Sequence, residues 1–387
     1  MATPLESRMQ RSEMKNMPTT EEPEPTQQCT IAEEAPLPAN EMKWVQKTLY
    51  SRLGGAHYQP YRDIVNEFKA FKDWKPSQFS STTWKKHGEK NRYADQMCMD
   101  QTRVILKNRE TNNDYINASW MTMPDGRKWI STQGPIKATV EDFWHMIYTE
   151  QVKVVCMLCS FQEDGIEKSA EYFNLEGKKT ETYGMYKVRV KTKTAEPFNS
   201  IKQTVLEVEK KNSKTPPLVV THLWNYGWVD HFCPTDTTPC VWMFKEAMTQ
   251  TGKSPILVHC SAGIGRTATF VGIDYASQKI KVDPETKMSE ILFSLRRMRL
   301  RSIQSQLQYA FLHQCVVELF MQQGQLKKDD TFEKLKVCFE HVVKKMIKTQ
   351  GEVKKQYYAD KVKNDKKDEK NTSKKISSRK KKDTVEK

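Results

Sequence analysis

The sequence has no apolar run near the roughly 18 to 20 residues that a membrane-crossing helix needs, and no apolar stretch of the kind that opens a secretory signal. No membrane span is expected, and the chain as given reads as cytoplasmic, with the nucleus as a second compartment. It also lacks a paired, regularly spaced cysteine set. Nine cysteines lie scattered through 387 residues, which argues against a disulfide framework and fits reduced thiols. Metal-ligand patterns are missing too. Cys156 and Cys159 form a Cys-x2-Cys pair with no second Cys/His pair at matching spacing, and the apolar residues from Val154 to Leu158 read as a buried strand in which cysteine packs as a small hydrophobe. His145, His222 and His231 show no ligand spacing either, so neither a metal nor another cofactor is expected.

What is present is enough apolar side chain for a large core and a strong excess of positive charge. Hydrophobic residues make up 37% and aromatics 10%, spread through the middle of the chain, against a mean hydropathy of -0.75. The net charge of +15 is unevenly placed: residues 351–387 carry +7, residues 1–40 carry -4, and the stretch between carries +12. A basic folded region favours an acidic partner, whether nucleic acid, an anionic surface or a phosphorylated substrate.

Residues 1–40 are polar and proline-containing, as in Thr19 to Gln28, and are expected to be disordered. Apolar residues then return at helical spacing (Trp44, Leu49, Leu53; Ile64, Phe68, Phe71), interrupted by Gly54-Gly55, which predicts two helices opening a domain over 41–325. Strand patterns follow at Val104–Leu106, Tyr115–Trp120, Trp129–Thr132, Val152–Leu158, Tyr186–Lys191, Gln203–Val208, Leu218–Trp224 and Ile256–His259. Amphipathic helical patterns occupy Val140–Gln151, Thr237–Gln250, Thr267–Ile280, Lys287–Met298 and Gln306–Gln322. Strands early and helices late predict an α+β or mixed α/β fold rather than a regular doubly wound one. A helical segment is expected over 326–350, then a disordered lysine-rich tail over 351–387. Within that tail, Lys374 to Lys382 suits a polyanion or nuclear import partner, or is a solvated basic tail.

The chemistry is concentrated in Pro255-Ile-Leu-Val-His259-Cys260-Ser261-Ala262-Gly263-Ile264-Gly265-Arg266-Thr267. An apolar strand enters a short loop with two glycines, and a helix starts near Thr267. Such a loop turns backbone N–H groups toward one point, and the helix N-terminus adds partial positive charge, so it holds an anion. The same donors favour the thiolate form of a cysteine at the loop mouth, which makes Cys260 a nucleophile. Arg266, six residues on, offers a planar fork matching two phosphate oxygens. The Thr267 hydroxyl can hydrogen-bond the sulfur and help it leave.

This His-Cys-x5-Arg-Thr string resembles the signature of the protein tyrosine phosphatases, whose dual-specificity relatives share only the shorter Cys-x5-Arg core. Further segments carry the resemblance over roughly residues 60–322. Lys90 to Asp95 is similar to the family's phosphotyrosine-recognition loop, and the resemblance implies that Tyr93 lines a deep cleft while Asp95 accepts hydrogen bonds from the substrate backbone. Asn113 to Ser119 and Thr132 to Pro135 look like other family segments. Tyr226 to Pro234 resembles the mobile Trp-Pro-Asp loop, implying Asp230 as general acid and Trp228 as hinge anchor. Val229 stands where the family has proline and Phe232 where it usually has glycine, two departures that bear on loop closure. Ser302 to Phe311 looks like the glutamine segment, with Gln304 orienting water and Gln308 supporting it; Glu163 and Lys168 fit the loop that holds the arginine and borders the cleft. His259 belongs to the signature as a supporting residue, and the backbone of Ser261 to Gly265 to the phosphate cradle.

The resemblance implies the cysteine phosphatase fold, a highly twisted mixed sheet flanked by helices. It also implies hydrolysis of phosphotyrosine in proteins through a cysteinyl-phosphate, with tyrosine-phosphorylated proteins as partners and no cofactor. A catalytically weak phosphotyrosine-binding module is the rival suggested by Val229 and Phe232. A dual-specificity enzyme is disfavoured by Tyr93, and a nucleic-acid-binding role would rest on charge alone.

Overall fold

The computed structural model describes residues 39–53, 60–109, 113–177, 179–198, 200–230 and 232–349. The expected disordered segment 1–40, apart from its last two residues, and the lysine-rich tail 351–387 lie outside the described residues, as does His231.

Two helices, α1 (Asn40–Thr48) and α2 (Pro60–Phe71), and the short α3 (Thr82–Lys86) lead into the sheet. The strands are β1 (Arg103–Ile105), β2 (Tyr115–Thr122), β3 (Lys128–Thr132), β4 (Val154–Met157), β5 (Gln162–Glu163), β6 (Ile166–Glu167), β7 (Glu181–Tyr183), β8 (Tyr186–Phe198), β9 (Ile201–Lys210), β10 (Leu218–Asn225) and β11 (Ile256–His259). Helix α4 (Val140–Thr149) precedes β4, α5 (Thr238–Thr251) precedes β11, and α6 (Arg266–Val282), α7 (Met288–Met298) and α8 (Gln306–Gln322) follow it. A last helix, α9, spans 330–349.

Nine strands form one mixed sheet in the order β1-β2-β3-β11-β4-β10-β9-β8-β7, and β5 and β6 form a separate hairpin. The middle is parallel: β11 runs alongside both β3 and β4, and β10 alongside β4. The flanks are antiparallel. Every residue of β4 and β11 is buried, which is why both read as continuous apolar runs rather than alternating ones. The register sets His259 beside Met157 on one side and Thr132 on the other, so the strand ends that precede the glycine loop converge.

The helical third of the chain backs this sheet. Helix α8 is buried along nearly its whole length. Helix α9 adds Phe332, Leu335, Phe339 and Val343 to the same core, with Phe339 against Tyr61 of α2 and Phe311 of α8 at ring separations of 5.1 and 6.1 Å. The expected strands and helices occur where their periodicity places them. The β5–β6 hairpin, β7 and α3 are too short to show a period. Among the described residues no helix is long and apolar enough to cross a membrane.

Burial pushes His222 down to about 3, with His259 adding to the effect, and pushes His259 and His313 to about 4. An unfolded chain takes up protons at these positions below about pH 6.5. Their contribution to folding is therefore full above that pH and is lost as pH falls toward the folded values. One such histidine amounts to on the order of 3 kcal/mol at pH 4. Denaturant titrations from pH 7 to 4 should show a falling midpoint. His313→Gln, which keeps a donor for the Tyr309 carbonyl, should flatten that decline; an unchanged slope would contradict the assignment.

Candidate active site

The loop from Cys260 to Gly265 is held from outside by its carbonyls. The Ser261 carbonyl accepts from Gly134 N–H at 2.9 Å, and the Ile264 carbonyl from Ile303 N–H at 2.8 Å. The Gly263 and Ala262 carbonyls accept from Arg299 Nε and Nη2 at 2.6 and 3.1 Å, and the Gly265 carbonyl from the Thr269 amide and hydroxyl at 3.0 Å each. His259 Nδ1 lies 3.1 Å from the Cys260 carbonyl. With the carbonyls turned outward, the amides face inward, and among the described residues none of the Ser261 to Gly265 amides donates to a protein acceptor. This is an anion cradle made of backbone.

Two glycines make the curvature possible. Gly263 has φ +70°, and a Cβ there would stand 2.1 Å from the Thr132 carbonyl oxygen; one on Gly134 would stand 2.6 and 2.8 Å from the carbonyl oxygens of Lys168 and Cys260. Cys260 is 3% exposed, at the floor of the cradle. Thr267, next to Arg266 in the first turn of α6, keeps a buried hydroxyl with no hydrogen-bond partner among the described residues.

Arg266 is 1% exposed and arrives at the cradle as the first residue of α6. Glu163, placed by the β5–β6 hairpin, takes both ends of the guanidinium at 2.6 and 3.2 Å, and the Trp228 carbonyl accepts from Nη1 at 2.8 Å. Its Nε–H is buried and has no partner among the described residues. Burial opposes the charge, but the Cys260 sulfur, the Glu163 carboxylate and Asp230 outweigh it and raise the guanidinium above its usual value.

The Tyr226 to Pro234 segment lies against this arginine. Asp230 Oδ1 is 3.1 Å from Arg266 Nη2, and Asp230 Oδ2 accepts from Lys168 Nζ at 2.9 Å. Burial works against the Lys168 charge, yet the bond to Asp230 and the nearby Tyr93 and Glu163 raise it. Trp228 is buried, donates its indole N–H to the Phe232 carbonyl at 2.8 Å and packs edge-on against Phe311 at 4.9 Å. The two departures in this segment are absorbed differently. Val229 is 62% exposed, so the missing proline leaves an apolar side chain on the rim. Phe232 is buried, and its carbonyl is the acceptor for the Trp228 indole N–H.

The Lys90 to Asp95 loop is anchored on Thr132–Pro135. Arg92 N–H donates to Gln133 Oε1 at 3.0 Å, and its guanidinium donates to the carbonyls of Gly134 and Pro135 at 3.0 and 2.7 Å. That anchoring brings the Tyr93 hydroxyl to 2.7 Å from Ser261 Oγ, beside Cys260, so the ring forms a wall of the cleft. Asp95 is on the outer rim, 3.1 Å from Arg301 Nη1. On the opposite side, Gln304 Oε1 and the Gln308 amide press on Gly265, where a Cβ would meet them at 2.5 and 2.8 Å. Gln308 is fully buried: its oxygen accepts from the amides of Gln304 and Ser305 at 2.9 and 3.3 Å in the capping box that starts α8.

Of the residues that the sequence pointed to, Arg266, Glu163, Asp230 and Lys168 are joined by direct contacts, Tyr93 meets Ser261, Gln304 and Gln308 lie against Gly265, and Asp95 stands apart with Arg301. Three residues that matter were not legible. Arg299, which holds the loop carbonyls, sits in a run of arginines that looks like a solvated surface; Arg92 looks the same, and Arg301 on the rim had no signal. Among the described residues no group of three His, Cys, Asp or Glu side chains could hold a metal ion.

Comparison with known proteins agrees with this geometry. The family model for protein-tyrosine phosphatase matches residues 87–318. The rat tyrosine-protein phosphatase non-receptor type 9 is 33% identical over 257 residues, covering 61% of this chain and 42% of the relative. The human non-receptor type 7 enzyme is 33% identical over 251 residues, covering 63% of this chain and 66% of the relative. This chain therefore spans less than half the length of the first of these. Among solved structures, the catalytic domain of human protein tyrosine phosphatase non-receptor type 18 aligns with a TM-score of 0.61 and 28% identity, over 72% of this chain and 99% of that one. With a cysteine at the floor of an amide cradle, an arginine fork above it, and a family match across most of the described residues, the chain belongs to the protein tyrosine phosphatase family.

Proposed function

We propose that this protein hydrolyses phosphotyrosine in proteins through a phosphocysteine on Cys260. The observation that carries the reading is the pairing of inward amides with the buried Arg266 fork around a single sulfur. A phosphate dianion placed there finds charge complementarity on every side, in a site already organised before substrate arrives. Structures of the non-receptor type 18 relative include complexes with HER2 phosphopeptides, which supports a phosphorylated protein segment as substrate.

In the first step the Cys260 sulfur attacks phosphorus and the bond from phosphorus to the tyrosyl oxygen breaks. Asp230 supplies the proton that the departing phenolate takes. Asp230 lies against Lys168 and Arg266. An entering phosphate competes for Arg266, through Nη2 and the Nε–H that has no partner among the described residues, and so draws that cation away from Asp230. In the second step water attacks the phosphocysteine, with Gln304 orienting it and Asp230 taking its proton, and the Thr267 hydroxyl hydrogen-bonds the departing sulfur. Glu163 fixes the arginine fork, and Tyr93 sets a depth that the longer phosphotyrosine reaches.

The binding-only reading rested on Val229 and Phe232. Asp230 stands against Arg266 despite both departures, which favours turnover. We place the enzyme in the cytoplasm, a reading supported by the unpaired state of the described cysteines. The lysine-rich tail suits an anionic or import partner by its charge.

The full-length protein is expected to release phosphate from a phosphotyrosine peptide and not from its phosphothreonine counterpart. Cys260→Ser should abolish release while the peptide still binds; turnover surviving that change would refute the assignment. Asp230→Asn is expected to lower kcat by about 10²- to 10⁴-fold on phosphotyrosine. The loss should shrink for an aryl phosphate whose leaving group needs no proton, and an equal loss on both substrates would remove Asp230 from the acid role.

A further inference from the structure

Behind the cradle lies a buried row of three side chains that the mechanism above leaves unused. Tyr172, which follows the β5–β6 hairpin, places its hydroxyl 2.8 Å from His259 Nε2 and 2.6 Å from Nε2 of His222 in β10. At one end, His259 Nδ1 reaches the Cys260 carbonyl at 3.1 Å; at the other, His222 Nδ1 is buried with no partner among the described residues. Phe143, Phe161 and Phe173 pack around Tyr172, and none of the three polar side chains is more than 1% exposed.

The donors can be counted. Burial keeps both imidazoles neutral, and the surroundings reinforce it: Arg92 and Arg266 face His259, and His259 itself faces His222. Burial likewise holds the Tyr172 phenol protonated, as do Cys159 and Cys156 facing it from β4 and its end. Each of the three rings therefore has one proton to donate along the row. In one order His222 Nε2–H donates to Tyr172, Tyr172 O–H to His259, and His259 Nδ1–H to the Cys260 carbonyl, leaving only a lone pair unsatisfied on His222. The reverse order sets two lone pairs against each other at the Cys260 carbonyl and leaves a buried N–H orphaned on His222. Orphaned buried N–H groups are the rarer and costlier defect, so the first order wins.

We infer that His222 is a positioning residue for the nucleophile: by donating Nε2–H to Tyr172 it fixes the proton order of the row, so that His259 gives its Nδ1–H to the Cys260 carbonyl. That bond keeps the carbonyl turned outward with the other loop carbonyls, and therefore the amides turned inward toward the sulfur. The inference rests on Cys260 being the nucleophile of the proposed reaction. Without His222 the reverse order no longer leaves an orphaned N–H, because the Tyr172 O–H can turn to Met157 Sδ at 3.5 Å; the two proton orders then lie closer in energy, and the hold on the Cys260 carbonyl weakens.

The test compares full-length wild type, His222→Leu, His222→Gln and Tyr172→Phe, with Cys260→Ser as the blank. Two profiles are read: the rate of Cys260 alkylation by iodoacetamide against pH, and the acid limb of kcat/KM on a phosphotyrosine peptide. His222→Leu should move both to higher pH by roughly half a unit or more, a shift that loss of packing alone does not produce. His222→Gln, which restores an N–H toward Tyr172, should move them back. Tyr172→Phe should shift them as well, and His222→Leu should add nothing in that background. A folded His222→Leu with the wild-type alkylation profile would overturn the inference; if that variant does not fold, an unmoved profile in folded Tyr172→Phe would do so. Alkylation needs no turnover, so absence of peptide hydrolysis would count against the phosphatase reading alone.

Discussion

The site depends on one constraint, the outward pinning of the carbonyls between Cys260 and Gly265. A peptide plane has a donor on one edge and an acceptor on the other. Fixing six successive carbonyls to His259, Gly134, Arg299, Ile303 and Thr269 leaves the amides no direction but inward. The affinity for an oxyanion is then a property of the backbone, stabilised by surrounding structure and not by charge on the loop itself. Arg266 completes the cradle because Glu163 and the Trp228 carbonyl hold its guanidinium in place.

The same constraint explains why the cleft draws on most of the chain. The central parallel strands deliver the loop, α7 and its following turn supply Arg299 and Ile303, and the Thr132–Pro135 segment supplies both Gly134 and the anchor for Tyr93. Asp230 and Lys168 come from two further segments and meet over the arginine. A shift in any of these would turn an amide or move the fork, so the fold is legible as scaffolding for a few fixed dipoles.

Much of this was visible in the sequence for identifiable reasons. The all-buried β4 and β11 wrote themselves as apolar runs, and α2, α7 and the other amphipathic helices as 3.6-residue periodicity. Cys260, Arg266 and Thr267 were legible because spacing, glycine and a strand-to-helix transition coincide. Arg299 and Arg92 were not, since an arginine that hydrogen-bonds buried carbonyls has the same composition signal as one in solvent. The row formed by His259, Tyr172 and His222 joins residues 87 and 50 positions apart, and the pairing of β10, β4 and β11 sets the two histidines on neighbouring parts of one sheet.

The most direct measurement is rapid acid quenching of wild-type protein with a phosphotyrosine peptide, followed by mass spectrometry of its proteolytic fragments. The account predicts a transient mass increase of one phosphoryl group on the fragment containing Cys260, appearing with the first release of dephosphorylated peptide. Turnover with that fragment never modified, or with the phosphoryl group on another residue, would contradict it.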